Sequence, residues 1–314
     1  MKHGRSVVAA GALTLAVAGA AAAWGADGHR MIGRAAVAGL PSDMPAFFVD
    51  AAEQLTYLGP EPDRWRDDEL TAMDEAWKYD HYIDLEAVPA GALDAPDRFA
   101  YLAALYAAGI DEPEQSAGLL PYRILELYQR LAAGFARWRE ADTEAVRGWI
   151  QQRIINDAGI LGHYVADASN PHHTTIHFNG WADDAPNPEA YTTSRDFHYR
   201  FESRFVSAHI DYDRLRTAVP AGADVVDARE AILSFILQTH DQVIPMYELE
   251  KTHGFDPDAP SPETQAFVVD RMAAGARMLR SLWYSAWVES EAIAANREEH
   301  RAPTDATTAS GLQP

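Results

Sequence analysis

The chain has 314 residues, no cysteine and a formal charge of −21. It cannot be a disulfide-stapled scaffold, and a surface this acidic argues against broad, non-specific binding to polyanions. A small anionic substrate stays open, because bound cations reverse the field inside a cleft.

Residues 1–23 read as an export leader. Lys2 and Arg5 form a basic start, Val7 to Ala20 is apolar or small, and Ala21-Ala22-Ala23 supplies the small residues a signal peptidase requires. The apolar stretch is short and alanine-rich for a membrane span, with an uncleaved anchor as the rival reading. Processing after Ala23 would start the mature protein at Trp24 and place it in the periplasm or outside the cell, with no stable membrane span and no implied protein partner.

Residues 24–297 are expected to form one all-α, multi-helix domain. Leu120, Ile124, Leu127, Tyr128, Leu131, Phe135 and Trp138 recur at three- and four-residue intervals, as on one buried helical face. Val146, Trp149, Ile150, Ile154, Ile160, Leu161 and Tyr164 continue the pattern. Ile232 to Tyr247 marks another helix and Phe267 to Ile293 a long last one. No strand alternation is convincing, although short hairpins can hide in loops. Residues 59–68, with two prolines, interrupt the helices. Residues 179–195 suggest a long surface loop shaping access to a site. The tail 298–314 lacks apolar periodicity and is expected to be disordered.

Chemistry concentrates between Leu161 and Glu202. His163 and Asp167 are four residues apart, as are His198 and Glu202, so each pair shares a helical face. His173 follows a proline break at Pro171. Apolar neighbours imply burial, where an unpaired carboxylate is costly and a metal cation removes that cost. These residue types suit a zinc site. Upstream, Trp24-Gly-Ala-Asp-Gly-His29 opens the expected mature chain, and a free α-amine becomes a metal ligand when deprotonated. His81-Tyr82-Ile83-Asp84 and Asp63 add further donors, with Asp67, Asp68 and Asp74 competing for Asp63's role.

These residues resemble the superfamily of zinc-dependent phospholipases C and single-strand-specific nucleases. The carrying features are the N-terminal Trp24 and the signature His163-x-x-x-Asp167 followed by Pro171 and His173. The resemblance implies an all-α fold around a cleft holding three zinc ions. One zinc would take Asp63, His81, His163 and Asp167. A second would take His173, His198 and Glu202. The third would take the Trp24 amine and carbonyl, His29, and Asp167 as a bridge. His172 and His177 match no ligand position and read as cleft-lining or solvated.

The resemblance also implies hydrolysis of a phosphodiester by zinc-activated water, with Asp63 orienting that water or accepting its proton. Three features favour a phospholipase C: Glu202 as the second-zinc carboxylate, no Gly-Gly-Asn stretch after the central histidine, and no cysteine. Asp27 would then meet a cationic head group. The Trp24-to-His29 and His173-to-His198 intervals favour a nuclease, in which Tyr82 and Asp84 would stack on and hydrogen-bond a base. Arg64, following Asp63, weakens choline specificity. A phospholipase C-like hydrolase is the expectation, a nuclease the alternative, and a noncatalytic zinc-binding protein the lesser one.

Overall fold

The computed structural model describes residues 24–301, so the leader and the tail beyond Arg301 lie outside the described residues. The described chain is all-α. Its helices are α1 (Gly25–Val37), α2 (Ala46–Asp50), α3 (Ala52–Leu58), α4 (Thr71–Trp77), α5 (Arg98–Ala107), α6 (Pro113–Ala117), α7 (Leu120–Arg139) and α8 (Glu144–Asp167). After the long loop come α9 (Phe197–Tyr199), a π-helical segment Arg200–Phe205, α10 (Val206–His209), α11 (Tyr212–Ala218), α12 (Ala228–His240), α13 (Val243–Thr252) and α14 (Pro262–Arg301). Among the described residues, strand pairing is limited to isolated bridges at Ile83–Gly118 and Phe178–Gly180.

α7, α8 and α14 form the centre of the bundle, with α1 and α3 against α8. The α7 stripe Leu120, Ile124, Leu127, Leu131 and Phe135 is buried, as its periodicity predicts. α8 starts at an N-cap, where the Thr143 hydroxyl accepts the Val146 N–H at 3.3 Å. Its second half, from Ile160 to Asp167, is buried all round. Gly159 permits this: a Cβ there would collide with the Leu58 side chain, so glycine lets α3 and α8 approach one turn before His163.

Three boundaries differ from the sequence expectation. Ile232 to Tyr247 is two helices, broken at Asp241–Gln242. Pro245 cannot donate to the carbonyl of residue 241, but it is tolerated in the first turn of a new helix. α14 begins before Phe267 and continues through residues 298–301, which were expected to be irregular. The 59–68 stretch does break the α pattern, yet it forms 3₁₀ turns at Pro62–Trp65 and Asp68–Leu70.

Candidate metal centre

The buried end of α8 packs against α1 and the turn that carries His81, and the remaining candidate ligands gather around it. His163 and Asp167 project from it, fully buried. His29 comes from α1 and stacks on His163, with ring centroids 4.1 Å apart and planes at 16°. Asp63 enters from the 3₁₀ turn Pro62–Trp65, and His81 ends the 3₁₀ turn Lys78–His81. His173 sits on the 3₁₀ turn Pro171–Thr174, while His198 lies on α9 and Glu202 on the π-helical segment.

Three groups of donors able to hold metal ions result: His29, His163 and Asp167; Asp63, His81 and His163; and His173, His198 and Glu202. Within each group the ligand atoms lie within 4.8 Å of one another. Asp167 connects the first two groups, with Oδ2 3.1 Å from His81 Nδ1 and 3.3 Å from His163 Nε2, and Oδ1 3.5 Å from His29 Nε2. Trp24 closes the arrangement: its N–H donates to Glu202 Oε2 at 3.2 Å, and its indole donates to the Ala166 carbonyl at 2.8 Å. Asp63 is the upstream carboxylate that reaches the cluster. Asp67 instead caps its own turn, and Asp74 pairs with Lys78.

The donor chemistry fits cations. Asp63 Oδ1 and Oδ2, His81 Nε2, Asp167 Oδ1 and Glu202 Oε1 are buried with no hydrogen-bond partner, a cost that proteins seldom leave uncompensated. His163 Nδ1 donates to the Gly59 carbonyl at 2.8 Å and His173 Nδ1 to the His81 carbonyl at 2.6 Å. Each of these bonds fixes the tautomer, so that Nε2 turns a lone pair toward the cluster, the usual outer support of a metal-binding imidazole. His173 Nε2 and His198 Nε2 face each other at 3.2 Å, a contact that needs a proton or a cation between them.

The electrostatics divide the cluster in two. Burial pushes the Asp63 carboxyl up to about 8, with Arg66 and Arg64 opposing and Glu202 adding to the rise. Burial likewise holds Asp167 well above the carboxylate range and keeps His81 and His163 well below the ordinary histidine value. At the other group, burial disfavours every charge, and it holds His198 below the ordinary histidine value, but for Glu202 and His173 attraction wins. The facing imidazoles of His198 and His173 lower Glu202, while the carboxylates of Asp167 and Glu202 raise His173.

Of the residues expected to touch substrate, Tyr82 is half-buried and its hydroxyl donates to the Gln115 carbonyl at 2.7 Å. Asp84 is 9 % exposed with Oδ1 unpartnered, and burial lifts it to about 7. Asp27 lies on the exposed side of α1, 3.2 Å from Arg30. His172 and His177 are buried rather than solvated. His172 stacks on His198 at 4.7 Å, and His177 stacks on Trp181 at 3.7 Å. The 179–195 loop is tied down: Asn179 Oδ1 accepts the His198 N–H at 3.4 Å, and Gly180, at φ +81°, packs where a Cβ would meet the Ser194 carbonyl at 2.7 Å.

Two contributors carry no motif. Arg66, three residues after Asp63, directs positive charge at Asp63, His81 and Asp167. Asn170 donates to Glu202. A cation just after a proline-bounded aspartate and an amide just before Pro171 were the only sequence signals for them. Comparison with known protein families, curated proteins and solved structures gave no match.

Proposed function

We propose that this chain is a zinc-dependent phosphodiester hydrolase of the phospholipase C-like kind, consistent with its resemblance to the zinc phospholipase C and nuclease superfamily. The observation that carries this reading is the set of buried, unpartnered carboxylate and imidazole atoms gathered into three linked groups. The mixed nitrogen and oxygen donors, without thiolate, suit zinc better than calcium or magnesium, which take oxygen. Asp63, His81, His163 and Asp167 would hold one ion, His173, His198 and Glu202 a second, and His29 and Asp167 with Trp24 a third. Bound zinc supplies Lewis acidity, activating water near neutral pH and offsetting phosphoryl charge.

The protein's own residues do the rest. Asp63, with 12 % of its side chain exposed, is the carboxylate of the cluster nearest to solvent, which supports a role in orienting water or taking its proton. Arg66 adds positive charge that favours an anionic phosphodiester. Tyr164, buried beside His81 and His163 with ring centroids 5.2 Å from each, walls the cluster from bulk water. Export and cleavage before Trp24 belong to the same proposal, since cleavage turns the N–H beside Glu202 into an amine.

A nuclease is the second reading, favoured by the pairing of Asp27 with Arg30, which engages the carboxylate otherwise open to a cationic head group. Incubating the processed, zinc-loaded protein with phosphatidylcholine, a wider phospholipid panel and single-stranded DNA decides between them. Diacylglycerol release supports the phospholipase, nucleotide release the nuclease. Bound zinc without turnover leaves a noncatalytic zinc protein.

A further inference from the structure

Asn170 is completely buried, and both ends of its amide are used. Oδ1 accepts the His172 N–H at 3.1 Å, capping the turn that carries His173. Nδ2 donates to Glu202 Oε2, also at 3.1 Å. The two partners fix which end is which, because a backbone N–H only donates and a carboxylate only accepts.

His173 and Glu202 come from separate elements, a short 3₁₀ turn and a π-helical segment, with the long loop between them. A glutamate side chain has free rotors, and orienting it costs entropy unless something holds it beforehand. We propose that Asn170 is a positioning residue for the His173–His198–Glu202 group, a single amide that sets the turn bearing one ligand against the carboxylate of another. Asn170 at 3.1 Å and the Trp24 N–H at 3.2 Å hold Oε2, the oxygen that faces the group's imidazoles, 2.7 Å from His198 Nε2 and 3.6 Å from His173 Nε2, while Oε1 is buried without a hydrogen-bond partner. The inference rests on the reading of this group as a metal site, and it assigns to Asn170 the outer support that backbone carbonyls give His163 and His173.

Two substitutions separate the amide's two roles. Asn170→Ser keeps a side-chain oxygen able to cap the turn but loses the donor to Glu202, whereas Asn170→Ala loses both. Metal-stripped protein of each kind is titrated with zinc against a competing chelator, and the absorption spectrum is recorded with cobalt in place of zinc. Wild type is expected to bind about three zinc ions, as the proposed site requires. Both variants are expected to lose about 10- to 100-fold in affinity at one ion only, with an altered cobalt spectrum. The serine variant should match the wild-type melting temperature without metal. Wild-type affinity in Asn170→Ser, with loss confined to Asn170→Ala, marks a cap alone and overturns the proposal. So does uniform weakening of every ion with a lower melting temperature. Wild type that binds no zinc overturns the metal reading itself, and the proposal with it.

Discussion

Asp80 and His81 are consecutive, yet their side chains join two buried polar clusters of opposite character. Asp80 is enclosed by protein cations: the Arg123 Nε donates to it at 2.7 Å and Arg98 Nη1 at 3.1 Å, while Arg98 also donates to Glu126 at 2.6 and 2.8 Å. Each charge there has an opposite charge in contact. His81 faces Asp63, Asp167 and His163, where buried oxygens remain without hydrogen-bond partners and imidazole nitrogens face each other at 3.0 Å. The first cluster is complete with protein atoms alone. The second is complete only with added positive charge, and that contrast supports reading it as a group able to hold cations rather than as a structural ion pair.

The largest expected effect breaks the second cluster at its shared ligand. Asp167→Ala should remove the two ions nearest His29 and His81 and cut hydrolysis by more than the ~10²–10³-fold typical of losing one electrostatic donor. Elemental analysis of the variant checks this, and full metal content with full activity would refute the connecting role of Asp167. Arg123→Met attacks the first cluster instead. It strands part of the Asp80 charge and should cost ~3–5 kcal/mol of stability, because breaking a buried pair leaves an uncompensated charge. Zinc content measured on the folded protein should not change. If zinc is lost along with stability, the two clusters are one cooperative unit and the contrast fails.

The bundle and the His163–Asp167 pair were legible in the sequence for the same reason: both are written in helical spacing, whereas Trp24, His29, Asp63, His81 and His173 entered the ligand set through the resemblance. The α7 stripe and the His163–Asp167 pair repeat at intervals that force residues onto one face. The π-helical segment at Arg200–Phe205 was not legible, because the insertion that defines it leaves no periodic signature in so short a stretch. Nor were the partners of the other buried polar groups. Arg98 reaches Asp80 across 18 residues and Arg123 reaches it across 43, through packing that local pattern does not encode. The same holds for Asn170 and Glu202, 32 residues apart.

A smaller effect sharpens the contrast through protons. With burial lifting Asp63 to about 8, metal-free protein at pH 7 holds that carboxyl mostly protonated. Ligation requires the carboxylate, so zinc binding at pH 7 should release protons, and fewer at pH 9. The linkage has a matching sign. A carboxyl whose pKa is higher in the folded than in the unfolded chain favours folding at low pH, and that advantage is lost as pH rises from the ordinary carboxylate range through about 8. Metal-free protein should therefore lose stability across that window and zinc-loaded protein should lose less. Calorimetric zinc titrations in two buffers of different ionisation enthalpy measure the protons, and a binding heat independent of buffer would remove Asp63 from the ligand set.

The smallest expected effect concerns a charge that belongs to neither cluster. Asp27 keeps 62 % of its side chain exposed and contacts Arg30 on its own helix, with the Ser207 hydroxyl at 3.4 Å. An exposed pair of this kind is worth ~0.2–1 kcal/mol, so Asp27→Asn should barely move the melting temperature. Asp27 has a partner already and nothing of the unmet demand seen at Asp63 or Asp167. Hydrolysis of phosphatidylcholine by Asp27→Asn should accordingly match wild type in both kcat and KM. A raised KM for choline lipids alone, with other phosphodiesters unaffected, would mean that Asp27 leaves Arg30 to meet a cationic head group. In that case local satisfaction in the free protein would not exclude a residue from the site, and the contrast between complete and incomplete clusters would hold only for buried groups.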